Sequence, residues 1–350
     1  MKTIKGPAIF LAQFLKDSPP YHDLESISGW AASLGYKGIQ IPTWDRRIFD
    51  LEQASQSKGY CEDYKGKLKE KGLEVVELAS YLQGQVMAIH PAYELLFQPF
   101  YPKGLDDPGR LEWASEQLRQ TILASAYFGT ENISVLSGGL AWPYIYPWPQ
   151  RSKGLVDEAF GELARRWLPL FDRGKEYGIT FGFELHPGSD LYDGATFLRF
   201  LDKVSHHPAA CITYDASHFL LQQMDYVEFI RIFHDRIKAF HVKDAEFITN
   251  GLTGVYGGYH DWVNRAGRFR SPGDGQVDFK KIFTELTTRR YEGWAILEWE
   301  CCVKSPEQGA KEGALFIASH IIEATQYVFD DFASSPTDHG MNKQILGLDR

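Results

Sequence analysis

Ile179-Thr-Phe-Gly-Phe-Glu-Leu-His-Pro-Gly188, Cys211-Ile-Thr-Tyr-Asp-Ala-Ser-His218, Ile237-Lys-Ala-Phe-His-Val-Lys-Asp244 and Trp294-Ala-Ile-Leu-Glu-Trp-Glu300 share one plan. Each is a short apolar run that ends in a carboxylate or an imidazole. The first ends at Glu184 and His186, and the second at Asp215 and His218. The third ends at His241, Lys243 and Asp244, and the fourth at Glu298 and Glu300. Runs of this length and composition read as buried strands. A charge at the tip of a buried strand is costly unless it is paired or bound to a metal. Its recurrence at four strand ends is the main pointer to function.

Outward from these runs the chain alternates. Strands are predicted over residues 8–14, 38–44, 73–79 and 132–139, ahead of the four at 179–185, 210–215, 237–242 and 294–299. Helices are predicted over 23–34, 61–71, 110–127, 155–177, 195–204, 226–235, 278–290 and about 306–328, several of them closed by glycine. Two long connections, 80–108 and 243–276, interrupt the rhythm. So does Trp142-Pro-Tyr-Ile-Tyr-Pro-Trp-Pro149, which is too rich in proline for a helix or a central strand. Strict alternation implies parallel strands. Eight such units in 350 residues predict an α/β fold, a (β/α)8 TIM barrel with enlarged βα loops. The barrel is expected as a single domain over residues 1–328. A polar tail, 329–350, would wrap the barrel or a neighbouring subunit. The rival architecture is a doubly wound sheet, whose dinucleotide-binding version needs a G-x-G-x-x-G fingerprint after the first strand that this chain lacks.

The net charge of -9 argues against a nucleic-acid partner, which asks for a basic patch. The four cysteines, Cys61, Cys211, Cys301 and Cys302, show no CxxC pairing, and reduced thiols in a cytoplasmic protein are expected. The apolar stretch 8–15 is short for a secretory signal and no small-residue cleavage site follows it. No apolar run approaches the roughly 20 residues of a membrane span. A soluble homo-oligomer without a membrane or nucleic-acid partner is the expectation.

In a barrel the active site forms at the C-terminal ends of the strands. Glu184, Asp215, His241 and Glu298 end four successive strands and would surround one point. Three carboxylates and one imidazole suit Mn²⁺, Mg²⁺ or Co²⁺, with Zn²⁺ and Fe²⁺ as alternatives. Singly, a strand-end Glu is more often a cap or an ion-pair partner, and a lone His a hydrogen-bonded structural residue. Four together favour a metal. His218, three residues past Asp215, is placed either against a substrate hydroxyl or as a cap of the next helix. Alternation puts His186 on the face of Glu184, and Glu300 on that of Glu298. Lys243 and Asp244 are either site residues or solvated loop charges. Arg270 precedes the turn Ser271-Pro-Gly-Asp-Gly275 and would grip a substrate oxygen or lie on the surface. Trp44, Trp142, Trp148 and Trp262 follow strands. Singly each is a packing residue; together they suggest a partly apolar, sugar-sized pocket.

Gly182-Phe-Glu-Leu-His186, Asp215-Ala-Ser-His218, His241-Val-Lys-Asp244, Ser271-Pro-Gly-Asp-Gly-Gln-Val-Asp-Phe279 and Tyr291-Glu-Gly-Trp-Ala-Ile-Leu-Glu298 carry a resemblance. Over most of residues 8–326 the chain resembles the sugar phosphate isomerase/epimerase superfamily, the xylose-isomerase-like TIM barrels. These include ketose 3-epimerases, inosose dehydratase, hydroxypyruvate isomerase and endonuclease IV. The resemblance implies one divalent metal, most often Mn²⁺, on Glu184, Asp215, His241 and Glu298. It further implies proton exchange by Glu184 and Glu298 on opposite faces of the substrate, and a substrate hydroxyl on His218. His186, Lys243, Arg270 and Trp142 are the remaining candidate substrate contacts. Two positions depart from the ketose epimerases: Phe247 stands where they carry an arginine, and Asp190 where they carry a glutamate. A free ketohexose is therefore disfavoured.

The leading expectation is a metal-dependent sugar isomerase or epimerase acting by proton abstraction next to a carbonyl through a metal-bound enediolate. The alternative keeps the site but expels a leaving group: a lyase that cleaves a 3-keto-glycoside or dehydrates an inositol derivative. An endonuclease-IV-like activity would need more histidines and a basic groove. A non-catalytic sugar-binding barrel would have little use for an intact ligand set. The partner is expected to be a small carbohydrate, without a visible phosphate-binding motif.

Overall fold

The strand-forming runs are dense in β-branched and aromatic residues and are buried almost throughout, as parallel strands covered by helices on the outside must be. The computed structural model describes residues 3–325 and 337–348. Its strands are β1 (Lys5–Phe10), β2 (Gly38–Pro42), β3 (Glu74–Ala79), β4 (Asn132–Val135), β5 (Thr180–Glu184), β6 (Ala210–Asp215), β7 (Ile237–Val242), β8 (Asp244–Phe247), β9 (Gly267–Arg270) and β10 (Trp294–Leu297). Strands β1 to β7 and β10 form a closed barrel, each parallel to its neighbours, with β10 returning to β1. Closure excludes the doubly wound sheet. Helices follow the strands on the outside, including Asp107–Phe128, Leu155–Tyr177, Gly194–Lys203 and Phe279–Thr288. No described helix is long and apolar enough to cross a membrane.

The two long connections contain more structure than their composition predicts. The connection after β3 holds the helix Tyr81–Val86 and a short helix Glu94–Phe97. The connection after β7 opens with an antiparallel hairpin, β8 against β9, that stands over the C-terminal end of the barrel. Asp244 starts this hairpin and is buried. Its carboxylate accepts from the backbone N–H groups of Ala245, Gly273, Gly275 and Val277, which pins the Ser271-Pro-Gly-Asp-Gly275 turn. It is therefore a structural clamp and not a solvated loop charge. A helix over Ala216–Leu221, capped by Asp215 through Ser217 N at 2.8 Å, also went unpredicted. The expected helix to residue 328 ends at His320; residues 326–328 and the expected barrel–tail boundary lie outside the described residues. The described part of the tail holds a short helix, His339–Ile345, with exposed side chains.

Outside the barrel the helix Leu155–Tyr177 buries Phe160, Leu163, Ala164, Trp167, Leu170, Phe171 and Gly174, a one-sided stripe at helical spacing. Trp167 packs edge-on against Phe181 and Phe183 of β5 at ring distances of 5.7 and 4.8 Å, so this helix seats the strand that ends in Glu184. Gly174 lets the last turn approach. A Cβ there would stand 2.7 Å from the carbonyl oxygen of Ile179 and 3.2 Å from the Phe181 ring. Helix propensity favours alanine over glycine by about 1 kcal/mol, but the backbone contact cannot give way. Gly174→Ala is expected to destabilise the protein, by about 1–3 kcal/mol, in urea unfolding. An unchanged or raised midpoint would show that helix and strand separate there at little cost.

Candidate metal centre

Register brings the strand ends together. Asp215 pairs alongside His241, and Glu184 alongside Thr213 one strand over; Glu298 directly follows β10, whose Ile296 lies beside His241. Glu184, Asp215, His241 and Glu298 each offer one ligand atom, and these atoms all lie within 4.8 Å of one another in buried surroundings. The four side chains grouped from strand ends are thus brought to one point.

Lys243 belongs to this point. Alternation along β7 puts it on the face of His241, and it is 2% exposed. Its ammonium lies 2.9 Å from Asp215 Oδ2, 3.0 Å from Glu298 Oε2 and 3.4 Å from Glu184 Oε1. The three carboxylates of the ligand set and the ammonium together carry -2, since -3 + 1 = -2, which a divalent cation beside a neutral imidazole cancels; Glu300 Oε2 stands farther out, 3.7 Å from the ammonium and in the cleft wall. Asp215 Oδ2 supports that fit: it is buried, and despite the nearby ammonium no donor is directed at it in hydrogen-bonding geometry. A buried oxygen in that state calls for a ligand. The residues present fit a divalent cation of oxygen-preferring type.

The charges reset one another's ionisation. Burial alone would raise the Glu184 carboxyl, but the Lys243 ammonium and His218 hold it well below the usual range. Glu298 is also lowered, Lys243 and His241 outweighing its burial and its repulsion by Glu184. Asp215 goes the other way, raised by burial. Burial would lower His241, yet the Glu298 carboxylate 2.7 Å from its Nδ1 lifts it from 6.5 to about 9.

Behind the ligands, His241 Nε2 meets Gln40 Oε1 at 3.1 Å, and Gln40 Nε2 donates to Glu77 Oε1 at 2.7 Å. Gln13 Nε2 donates to Glu298 Oε1 at 3.2 Å. None of these three was singled out from the sequence. Glu77 had a signal, a carboxylate between Val76 and Leu78 inside an apolar run.

A cleft of about 1110 Å³ opens above the centre, with Glu184, His218, Lys243 and Glu298 at its polar end. His218 lies inside the helix Ala216–Leu221 and reaches back, its Nε2 3.0 Å from Glu184 Oε1 and 3.0 Å from Lys243 Nζ. His186 lines the cleft and stacks on the His218 ring, with centroids 5.0 Å apart. Trp44, Trp142 and Trp262 line the walls, whereas Trp148 is 73% exposed and stands outside. Asp190, at the position that departs from the ketose epimerases, accepts from the N–H groups of Leu140 and Ala141 and so anchors the loop that carries Trp142. Arg270 does not reach the cleft. Hairpin register pairs it with Asp244, and its Nη1 reaches diagonally across the ladder to Glu246 at 2.7 Å, the carboxylate that Arg268 faces directly; Arg265 is the arginine of the cleft wall.

The raised His241 makes a pH prediction. The folded state holds this proton more tightly than the unfolded chain, so the stabilisation is complete below about 6.5 and is lost as pH rises through about 9. The metal-free protein should lose stability across that window, and His241→Asn should remove most of the slope in urea titrations run at successive pH values. A slope unchanged in the variant would assign the proton elsewhere.

A family model, the xylose isomerase-like TIM barrel, matches residues 29–320. Curated relatives include the inosose dehydratase of Lacticaseibacillus casei, 30% identical over 159 residues, which are 41% of this chain and 48% of that protein. The inosose dehydratase of Halalkalibacterium halodurans is 29% identical over 126 residues, 36% of this chain and 41% of that one. The chain spans about half the length, or less, of these relatives. Among solved structures, a 3-keto-D-glucoside 4-epimerase from E. coli superposes with a TM-score of 0.61 at 15% identity, covering 91% of this chain and 100% of that one. An L-ribulose 3-epimerase gives 0.59 at 16% identity, covering 91% and 95%. Identities that low speak for the fold alone; together with the family match across the barrel and its strand ends, the chain belongs to the xylose isomerase-like TIM-barrel family.

Proposed function

We propose that this protein is a divalent-metal-dependent isomerase or epimerase of a non-phosphorylated keto-sugar, acting by proton abstraction next to a carbonyl. The observation that carries the reading is the buried group Glu184, Asp215, His241 and Glu298 at the polar end of a substrate-sized cleft. One divalent cation held there, Mn²⁺ before Mg²⁺, Co²⁺ or Zn²⁺, supplies Lewis-acid stabilisation of negative charge that develops on substrate oxygens.

The chain's own groups do the rest. Glu184 and Glu298 stand on β5 and just after β10, with β6 and β7 between them, so they approach a bound sugar from different sides. One carboxylate, ionised, takes the proton from the carbon beside the carbonyl; the other enters the step protonated and gives its own proton to the opposite face, and exchange with solvent resets the pair. Lys243, in reach of both, stabilises whichever carboxylate is ionised: the acceptor before the transfer and the spent donor after it. His218, 3.0 Å from Glu184, holds a substrate hydroxyl or relays the proton that Glu184 collects. Aromatic walls keep water away from the carbanion-like intermediate.

A second reading rests on cleft size. About 1110 Å³ lies at the upper end of what drug-sized ligands occupy, and Trp142, Tyr192, Tyr256 and Trp262 extend the walls beyond the polar end. A glycoside would fill it better than one ring, and abstraction of the same proton would then expel the β substituent, as a lyase does. The likeness to inosose dehydratases points the same way.

Keto-sugars and 3-keto-glycosides incubated in D₂O with Mn²⁺ separate the readings. The isomerase reading expects deuterium at the carbon beside the carbonyl with no fragment lost. Release of the leaving group would transfer the assignment to the lyase. Glu184→Gln should lower exchange by about 10²–10⁴-fold. Chelation should abolish exchange and Mn²⁺ should restore it; full turnover after chelation would rule out both.

A further inference from the structure

Beneath the ligands the barrel interior holds a carboxylate that the proposed chemistry does not use. Glu77, on β3, is 3% exposed. It receives Gln40 Nε2 at 2.7 Å, Asn132 Nδ2 at 2.9 Å and the Ser134 hydroxyl. Each donor is itself held. Thr180 Oγ1 donates to Asn132 Oδ1 at 3.0 Å, which turns the Asn132 amide nitrogen toward Glu77. Thr213 Oγ1 stands 2.7 Å behind Ser134 Oγ. Gly182 leaves this layer its room, since a Cβ there would come within 2.5 Å of Thr213 Oγ1 and 2.9 Å of Asn132 Nδ2.

The donors and acceptors admit one order. A carboxylate only accepts, so Gln40 must present its NH₂ to Glu77 and its carbonyl oxygen to His241. His241 must then carry a hydrogen on Nε2, the nitrogen 3.1 Å from that oxygen. Nδ1 donates to Glu298 Oε2 at 2.7 Å while the ring is cationic, and it is the nitrogen that loses its hydrogen when a cation is taken up. Histidine ligands are commonly set in this way by the partner of their second nitrogen.

We propose that Glu77 is a positioning residue that selects, through Gln40, which nitrogen of His241 meets the cation. The inference rests on the metal reading above and adds to it the residue that polarises the ligand set from two side chains away. Replacing Glu77 by glutamine removes the obligatory acceptor. The Gln40 amide is then free to turn its NH₂ toward His241, which would answer with a bare Nε2 and a hydrogen on Nδ1.

The test compares wild type, Glu77→Gln, and the double variant Glu77→Gln with Gln40→Glu. The double variant has the same composition as wild type at these positions but puts the carboxylate directly beside His241. Zn²⁺ binding is measured by calorimetry, and the ring nitrogens of His241 are read by ¹⁵N NMR in the Zn²⁺-loaded protein. Glu77→Gln is expected to weaken Zn²⁺ binding by about 10–100-fold and to lose the hydrogen-bonded Nε2–H that the loaded wild type shows. The double variant is expected to restore the Nε2–H form and most of the affinity. A Glu77→Gln protein with wild-type affinity and tautomer overturns the inference, as does a folded double variant no better than the single one. Near-UV circular dichroism of each variant separates loss of fold from loss of polarity. If wild type takes up neither Zn²⁺ nor Mn²⁺, the metal reading fails and the role of Glu77 falls with it, an outcome distinct from a Glu77→Gln protein that binds as wild type does.

Discussion

Three carboxylates, Glu184, Asp215 and Glu298, stand close together where water scarcely reaches, and the rest of the site is arranged around the need to balance them. Leaving even one ionised carboxylate unpaired in such surroundings costs several kcal/mol. Lys243 supplies one positive charge and His241, lifted by Glu298, supplies a second in the metal-free protein. Neither closes the account. The remaining negative charge, and the buried oxygen of Asp215 at which no donor among the described residues is directed, suit the centre to a dication. The barrel is what makes this tolerable, because strands ending at one rim can converge their charges without burying any backbone group unpaired.

That constraint also explains why the cleft has two characters. Its inner end is polar because the carboxylates, Lys243 and His218 must share their protons and charge. Its outer part is aromatic because it is built from connections that carry no charge obligation, among them the segments bearing Trp142 and Trp262. Asp190 and Asp244 serve this outer part from below. Each collects backbone N–H groups that would otherwise be buried without acceptors, and each thereby holds a loop over the site.

The strand ends were legible in the sequence because each is a local event, an apolar run that stops at a charge, and eight such runs alternating with helices leave few topologies open. Other features were not legible, for equally physical reasons. The hairpin β8–β9 is short, carries charges, and pairs segments far apart in the chain, so no local periodicity announces it. Arg270 looked free to meet a substrate until the hairpin brought Glu246 within reach of it, diagonally across the ladder. Lys243 read equally well as a loop charge, since only the closed barrel shows that its ammonium has nowhere to go but into the carboxylates.

By itself, then, the sequence determined the eight strands of the barrel, the end of the barrel that would carry the site, and the four residues that could ligate a cation. Tertiary structure decided which charges are neutralised and which hydrogen-bond partners are chosen. His241 acquires its polarity from Gln40, 201 positions away, and its raised proton affinity from Glu298, 57 positions away. Strand formation follows from local apolar pattern, whereas ionisation and donor–acceptor order depend on which side chains the fold brings within about 3 Å of one another, and no stretch of sequence contains that information.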